Sequence, residues 1–516
     1  MQQIRKVLIV GGGTAGWLAA CHLAKKLHRQ DGSGVEICLI ESAEIPTIGV
    51  GEGTVPAIRH SLQYLGISET EFVRECDVTF KQSIQFVDWV KAPGQISPNY
   101  YHHVFDYPDL ATLDLTPYWL QGLAGDCSYA DAVSVQGRIA DAGFGPKTML
   151  QPEFQGLTNY AYHLDAAKFA ALLTRHATQK LGVRHLLGNV GAVRFADNGD
   201  IAAIQTDAHG ELTADIFIDC TGFRALLIGD ACQVPFIPKN DVMFVDRALA
   251  VQVPYRDPET PIPCYTIATA QPAGWIWDIG LTERRGTGYV YSSRYTSDEE
   301  ALAVLRQYLK GDADDLTPRR IEMQVGYREK FWHRNCIALG LSQGFVEPLE
   351  ATGLLVYDAT ARMLAESFPA HTGVMPLLAE RFNQRVRTAW DKVIDFIKLH
   401  YFLSQRDDTA FWRDNRDPAS CPQSLLDNLA LWAHQVPTPY DFHSKLEIFN
   451  LENYLYVLYG MRFGTDLSAQ QYRLTQPELA AQMFAFYRHK AQQLQSQLLP
   501  HRELLKRIRQ FGLQKV

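Results

Sequence analysis

The stretch Lys6-Val-Leu-Ile-Val-Gly-Gly-Gly-Thr-Ala-Gly16 decides the fold. Its apolar run reads as a buried parallel strand, and the glycines behind it read as a turn that opens a helix over Trp17 to Leu27. Val35 to Ile40 reads as the next strand, ending at the acidic Glu41. A Gly-x-Gly-x-x-Gly alone is a weak signal, but one that follows a strand, starts a helix and is answered by an acid at the end of the next strand is a dinucleotide fingerprint. Gly11 permits the tight turn, Gly13 lets backbone approach a pyrophosphate, and Gly16 allows close helix packing. Thr14 and Ala15 complete the segment, whose helix start offers amides and a partial positive charge. Glu41 suits a ribose hydroxyl and would repel the extra phosphate of NADP.

The rest of the composition fits a soluble enzyme of α/β class. Hydrophobic residues make up 47% and charged residues 21% of 516, and the net charge of −8 argues against nonspecific binding to nucleic acid or an anionic membrane. Nine cysteines, scattered without a Cys-x-x-Cys pair, fit reduced thiols better than a disulfide framework or a metal site. Arg5 and Lys6 before an apolar stretch resemble a secretory signal, yet three consecutive glycines have no use in one. No apolar run reaches the ~18 residues of a membrane span. A cytoplasmic location is expected.

Further along, Leu212 to Asp219 reads as a strand leading to Cys220-Thr-Gly-Phe-Arg224, and Asn335 to Leu339 as another leading into Gly340. Both return the chain to the nucleotide site. Capping-box patterns stand at Ser68 to Glu71, Ser297 to Glu300 and Thr475 to Glu478. From about Leu354 onward the pattern is mainly helical, with a soft stretch at Gln405 to Pro439 and one final helix over Glu478 to Phe511. The expected division is a catalytic module over 1–375, with discontinuous nucleotide-binding segments and an inserted sheet, and a mainly helical pocket or lid module over 376–516.

Asp219-Cys-Thr-Gly222 resembles the second nucleotide-contacting stretch of FAD oxidoreductases of the aromatic-hydroxylase fold, which favours FAD over NAD. Gly222 and Gly340 are candidate cofactor contacts on that basis. Ile48-Gly-Val-Gly-Glu-Gly-Thr54 supplies Gly49 and Gly51, glycines that let backbone pass close to a planar ring or serve a plain surface turn. There is no second strand-turn-helix fingerprint for a nicotinamide cofactor.

Three more segments complete the pattern. Gly274-Trp-Ile-Trp-Asp-Ile-Gly280 places Trp275 and Trp277 on one face of a strand, Val78-Thr-Phe-Lys-Gln-Ser-Ile-Gln-Phe86 carries Lys81, and Gly344-Phe-Val-Glu-Pro-Leu-Glu-Ala-Thr-Gly353 carries Glu350. Together with the fingerprint and Tyr160-Ala-Tyr-His-Leu-Asp165, they resemble the flavin-dependent halogenases of the tryptophan type. That family's hallmark is Trp-x-Trp-x-Ile-Pro, and this chain ends the motif in Gly280.

The resemblance implies an enzyme that uses FADH2, oxygen and a halide, chloride or bromide, to form a flavin hydroperoxide and then hypohalous acid that is delivered to Lys81. It assigns the halide to Thr352 and Gly353, at a helix start. Lys81 is the essential lysine, and Glu350 the carboxylate that steadies positive charge on the ring and accepts its proton. Lys81 has two conceivable roles. A chloramine needs a neutral amine, so a lysine of pKa ~10.4 would have to fall by ~3 units, whereas donating a hydrogen bond to hypohalous acid needs no shift. A nearby Glu350 would favour the donor. Glu347, before Pro348, reads as structural or solvent-facing, and Ala351 stands where tryptophan halogenases commonly carry serine.

His103 and Phe105 have the spacing of the aromatic sandwich that holds the substrate ring, with Phe449 where tryptophan halogenases use a tryptophan. Trp275 and Trp277 are expected as a wall between flavin and substrate. Pro437 to Leu451 shows no tyrosine pair with a glutamate to clamp a free amino acid, which favours indole or an indole derivative over free tryptophan. The resemblance further implies a separate NAD(P)H-dependent flavin reductase and a homodimer. The alternatives are a flavin-dependent aromatic hydroxylase, which has no need of Lys81 or a halide site, and a flavin-binding protein without chemistry.

Overall fold

Val7 to Val10 are buried on both faces in the strand Lys6–Val10, and the strand sits near the middle of a six-stranded sheet. The computed structural model describes residues 2–29, 31–45, 51–311, 315–442 and 448–515. In sheet order the strands are Trp332–His333, Cys336–Ala338, Ile216–Asp219, Lys6–Val10, Glu36–Glu41 and Arg184–Leu187. All neighbours are parallel except the first pair. Register aligns Val10 with both Asp219 and Ile40, so the glycine turn, Thr221-Gly222 and Glu41 all leave the sheet at its carboxyl edge. That edge is where open α/β sheets bind ligands. The helix after the turn, Thr14–Leu27, begins three residues earlier than its apolar pattern does.

A seven-stranded sheet forms the second layer, and its central strands are Arg284–Tyr291, Gly274–Gly280 and Thr266–Gln271. Every residue of Gly274–Gly280 is buried. Trp275 and Trp277 share a face as the period of two requires, with ring centroids 6.4 Å apart. Trp277 lies over Gly288, where a Cβ would collide with its ring. The outer strands of this sheet are Ser83–Val87 and Tyr100–Val104, which bring His103 in. A small third sheet pairs Lys81 with Ala161, so the Tyr160 to Asp165 segment is the partner of the lysine strand Thr79–Lys81.

The helices after Thr352 close over these sheets, led by the 28-residue helix Met375–Phe402. One apolar cluster runs from Trp17 and Leu62 through Trp89 and Trp275 to Phe396, Trp432 and Leu504. The final helix departs from expectation. It is two helices, Pro477–Gln495 and His501–Phe511, because Pro500 has no N–H to continue the ladder and biases Leu499 away from helical angles. The box at Ser297 and Glu300 is present in both directions. At Ser68 only half of it forms: the hydroxyl accepts from Glu71 N, while the Glu71 carboxylate is held by Arg175. At Thr475 there is none, as Pro477 starts the helix and Gln476 takes the cap position.

Candidate active site

At the nucleotide end, each fingerprint glycine has a steric reason. Gly11 has φ +107°, and a Cβ there would strike the Cys220 carbonyl. A Cβ on Gly16 would strike the Gly11 carbonyl, whereas Gly13 has nothing within 4 Å and opens onto a cavity of about 800 Å³. Gly12, which the motif leaves undefined, is the glycine that admits Glu41, because a Cβ would overlap that carboxylate. Thr14, Ala15 and Glu41 line the cavity, as do Gly51 and Gly222. The Glu41 Oε1 also lies 2.8 Å from His185 Nε2. Gly340, with φ +76°, is not among the lining residues; a Cβ on it would stand 2.7 Å from that of Ala15, so it packs behind the helix start. Gly49 lies outside the described residues. An open backbone at Gly13, a helix start and an acid at the strand end fit the adenosine and pyrophosphate of FAD.

The same cavity extends to Lys81, Glu350, Trp275 and Trp277. Lys81 is 1% exposed. Its Nζ donates to the Thr54 carbonyl at 3.0 Å and stands 5.3 Å from the centre of the Phe105 ring. Burial pulls its pKa down to about 8, and Glu350 offsets only part of this. Proximity to the carboxylate therefore does not hold the lysine near its usual value. Most of it is still protonated at neutral pH, which keeps the hydrogen-bond donor as the dominant form. Behind the lysine strand, Phe80 N donates to His501 Nε2 at 2.9 Å and His501 Nδ1 donates to the Ile262 carbonyl at 3.0 Å.

Glu350 is clasped by two histidines. His103 Nδ1 lies 2.8 and 2.9 Å from its oxygens, and His400 Nε2 lies 3.0 Å from Oε1. The other nitrogen of His400 faces the Phe396 carbonyl at 2.9 Å, and that of His103 faces Asn453 Oδ1 at 3.0 Å. Burial pushes the Glu350 carboxyl up, but His103 and His400 outweigh it and hold it well below the usual carboxylate range.

Glu350 and Ala351 have φ of +63° and +55°. These two left-handed residues turn the chain into the helix Thr352–Glu366. Gly353 itself is not left-handed, so it is not needed for the turn; it lines the cavity, and a Cβ there would meet nothing nearer than 3.6 Å. The Thr352 hydroxyl is directed back to the Glu347 and Leu349 carbonyls at 3.5 Å. Its backbone N–H, like those of any first helical turn, lacks a partner within the helix.

Phe105 and His103 come together beside Lys81 and Glu350, while Phe449 stacks on Phe396 at 4.0 Å, one ring removed from His103. Glu347 is buried and not solvent-facing: Trp275 Nε1 and the Tyr401 hydroxyl donate to its Oε2 at 2.6 and 2.7 Å. His400, Asn453 and Tyr401 carry no sequence signal, since each acts on a partner far along the chain. At Gly280 the carbonyl accepts from Thr79 Oγ1 at 2.6 Å, and a Cβ would come within 2.8 Å of Ile262 Cγ2 and 3.0 Å of Tyr255 Oη.

A dinucleotide turn and a buried lysine and glutamate facing one cavity mark a nucleotide-cofactor enzyme with two reactive side chains beside the cofactor site. Comparison with known proteins sharpens this. The tryptophan halogenase family model matches residues 6–476. A tryptophan 6-halogenase of Streptomyces toxytricini is 39% identical over 453 residues, 84% of each chain. The crystal structure of a tryptophan halogenase from Shewanella frigidimarina superposes with a TM-score of 0.95 at 43% identity, covering 100% of this chain and 99% of that one. A tryptophan C-6 flavin-dependent halogenase from taromycin biosynthesis gives 0.91 at 34% identity, over 98% and 100% of the two chains. The chain belongs to the tryptophan halogenase family. It is a flavin-dependent halogenase, an oxidoreductase using FADH2 and a halide.

Proposed function

We propose that this enzyme chlorinates or brominates indole or an indole derivative beside Lys81 and Glu350, which line the cavity, and next to Phe105 and His103, which pack against them. The carrying observation is that Lys81 and Glu350, both almost fully buried, line the cavity that begins at the glycine turn. Bound there as FADH2, the cofactor supplies hypohalous acid from oxygen and halide. Amides at the Thr352 and Gly353 helix start would hold the halide, a weakly basic anion suited to partial positive charge without a strong acid.

Lys81, tethered by Thr54, would donate a hydrogen bond to the hypohalous acid and polarise the oxygen–halogen bond toward the ring. Electrophilic attack builds positive charge on the ring, and the fixed Glu350 carboxylate would stabilise it. The clasp of two N–H donors makes Glu350 a weak base, which suits this role, because the proton of a cationic ring is acidic enough for a weak base to take. His103 and Phe105 would flank the ring, with Phe449 shaping the far side. Of Pro437 to Leu451, residues 443–447 lie outside the described residues.

A separate NAD(P)H-dependent flavin reductase would supply FADH2, and a homodimer, a cytoplasmic location and the division at about residue 375 complete the reading. Incubation with FAD, a reductase, NADH, bromide or chloride, and indole, followed by mass spectrometry, tests it. A halogen isotope pattern in the product supports the proposal. An added oxygen would identify a hydroxylase, and an unchanged substrate panel would remove indoles as the substrate class.

A further inference from the structure

Glu347 precedes Glu350 by one turn and is 1% exposed. Its Oε2 accepts both the Trp275 indole N–H and the Tyr401 hydroxyl, while Oε1 is buried and has no hydrogen-bond partner among the described residues. Tyr401 directly follows His400, so two consecutive residues near the end of Met375–Phe402 hold the two glutamates that flank Pro348-Leu349. Burying a polar oxygen without a partner is unfavourable, and an apolar side chain could fill this space without that cost. The two bonds to Oε2 are what an apolar residue could not provide.

What they hold is the wall. Trp275 lines the same cavity as the glycine turn and Lys81, and its ring packs against Trp277 and, at 6.5 Å, against Trp89, which in turn lies 5.1 Å from Tyr401. Packing alone leaves an indole free to choose among rotamers that fill similar volumes, whereas a bond at its N–H selects one. Burial also pushes the Glu347 carboxyl up to about 7, against the opposing effects of Tyr401, Trp275 and Lys398. Near neutral pH a large share is the uncharged acid, so hydrogen bonding more than charge secures the ring.

We propose that Glu347 is a positioning residue that locks the Trp275 indole to the Glu350 turn, so that oxidant formed at the flavin end passes to Lys81 and does not escape. The consequence for function rests on the halogenase reading above; the lock itself does not.

Two measurements test it on the full-length protein labelled with 5-fluorotryptophan. The first is the fluorine NMR line of Trp275 in the apoprotein, assigned by its disappearance in Trp275→Phe. The second is the amount of halogenated indole formed per FADH2 consumed, with a soluble trap for hypohalous acid. Glu347→Leu should move or broaden the Trp275 line and lower coupling by about fivefold, the ratio corresponding to one ordinary hydrogen bond. Glu347→Gln, whose carbonyl can accept both bonds, should keep line and coupling near those of the native protein. Trp275→Phe removes the donor and keeps a ring, so it should leak like Glu347→Leu even if that variant folds poorly. An unchanged line and full coupling in Glu347→Leu, full coupling in Trp275→Phe, or a Glu347→Gln protein as leaky as Glu347→Leu, would overturn the proposal. A shifted line in a protein that halogenates no indole would instead leave the lock standing and defeat the reading of indoles as substrate.

Discussion

Replacing His400 by Phe isolates one half of the clasp on Glu350. The ring would keep its packing against Phe86, at 4.9 Å, and Phe396, at 5.1 Å, and would lose the 3.0 Å contact to Glu350 Oε1. A hydrogen bond to a charged group contributes about 1.5–3 kcal/mol, and each pKa unit corresponds to about 1.36 kcal/mol. The Glu350 pKa should therefore rise by about 1–2 units, since burial is then opposed by one histidine and not two. The sign for stability follows from linkage. A carboxyl held below its unfolded value adds stability above that value and loses it as pH falls through the folded one. His400→Phe should accordingly be less stable than the native protein near pH 7 by about 1.5–3 kcal/mol, with the gap narrowing under acid. Single-turnover halogenation with chemically reduced FAD, followed against pH, reads the catalytic side. The acid limb should move up by a unit or more while FAD affinity is unchanged. An acid limb and a melting profile identical to the native ones, in a variant that binds FAD normally, would refute the reasoning.

Other perturbations follow from the same geometry. Lys81→Met should abolish halogenation yet stabilise the fold: a lysine brought down to about 8 loses its proton more readily folded than unfolded, so its cost is largest below pH 8 and fades toward pH 10. Denaturant melts at pH 7 and 10 would show a gain of a few kcal/mol at the lower pH only, and no gain there would contradict the burial argument. Gly353→Ala should fold normally, as a Cβ meets nothing within 3.6 Å, and should raise KM for halide more than KM for the indole; equal effects would remove Gly353 from the halide site. Gly280→Pro should melt a few degrees lower, because the new ring must displace Ile262 and Tyr255, while halogenation persists. A stabilised variant would show that the motif's usual proline fits here unaided.

The nucleotide half of the molecule was legible in the sequence because its rules are local. A strand of Val and Ile, the glycine turn behind it and an acid at the next strand's end follow one another within a single βαβ unit, although one contact that Gly11 admits, the Cys220 carbonyl, comes from far along the chain. The catalytic half was legible only through its resemblance to a family. Lys81 and Glu350 meet across strands and helices far apart in sequence, and what tunes them is further away still. His400 and Tyr401 look like ordinary residues of an amphipathic helix, and nothing in that pattern reveals that they hold two glutamates. For the same reason the place of Glu347 before a proline leaves structural and solvent-facing roles open, and only its distant partners, Trp275 and Tyr401, settle the first. The break before Pro500 shows the opposite limit: the charge pattern runs across it, but a single ring ends the helix.

The most direct test of the account compares native, Lys81→Met and Glu350→Gln proteins side by side, measuring FAD affinity and bromide incorporation into indole. The account predicts brominated indole from the native enzyme, none above background from either variant, and the same FAD affinity in all three. Bromination retained by either variant at the native rate would contradict it.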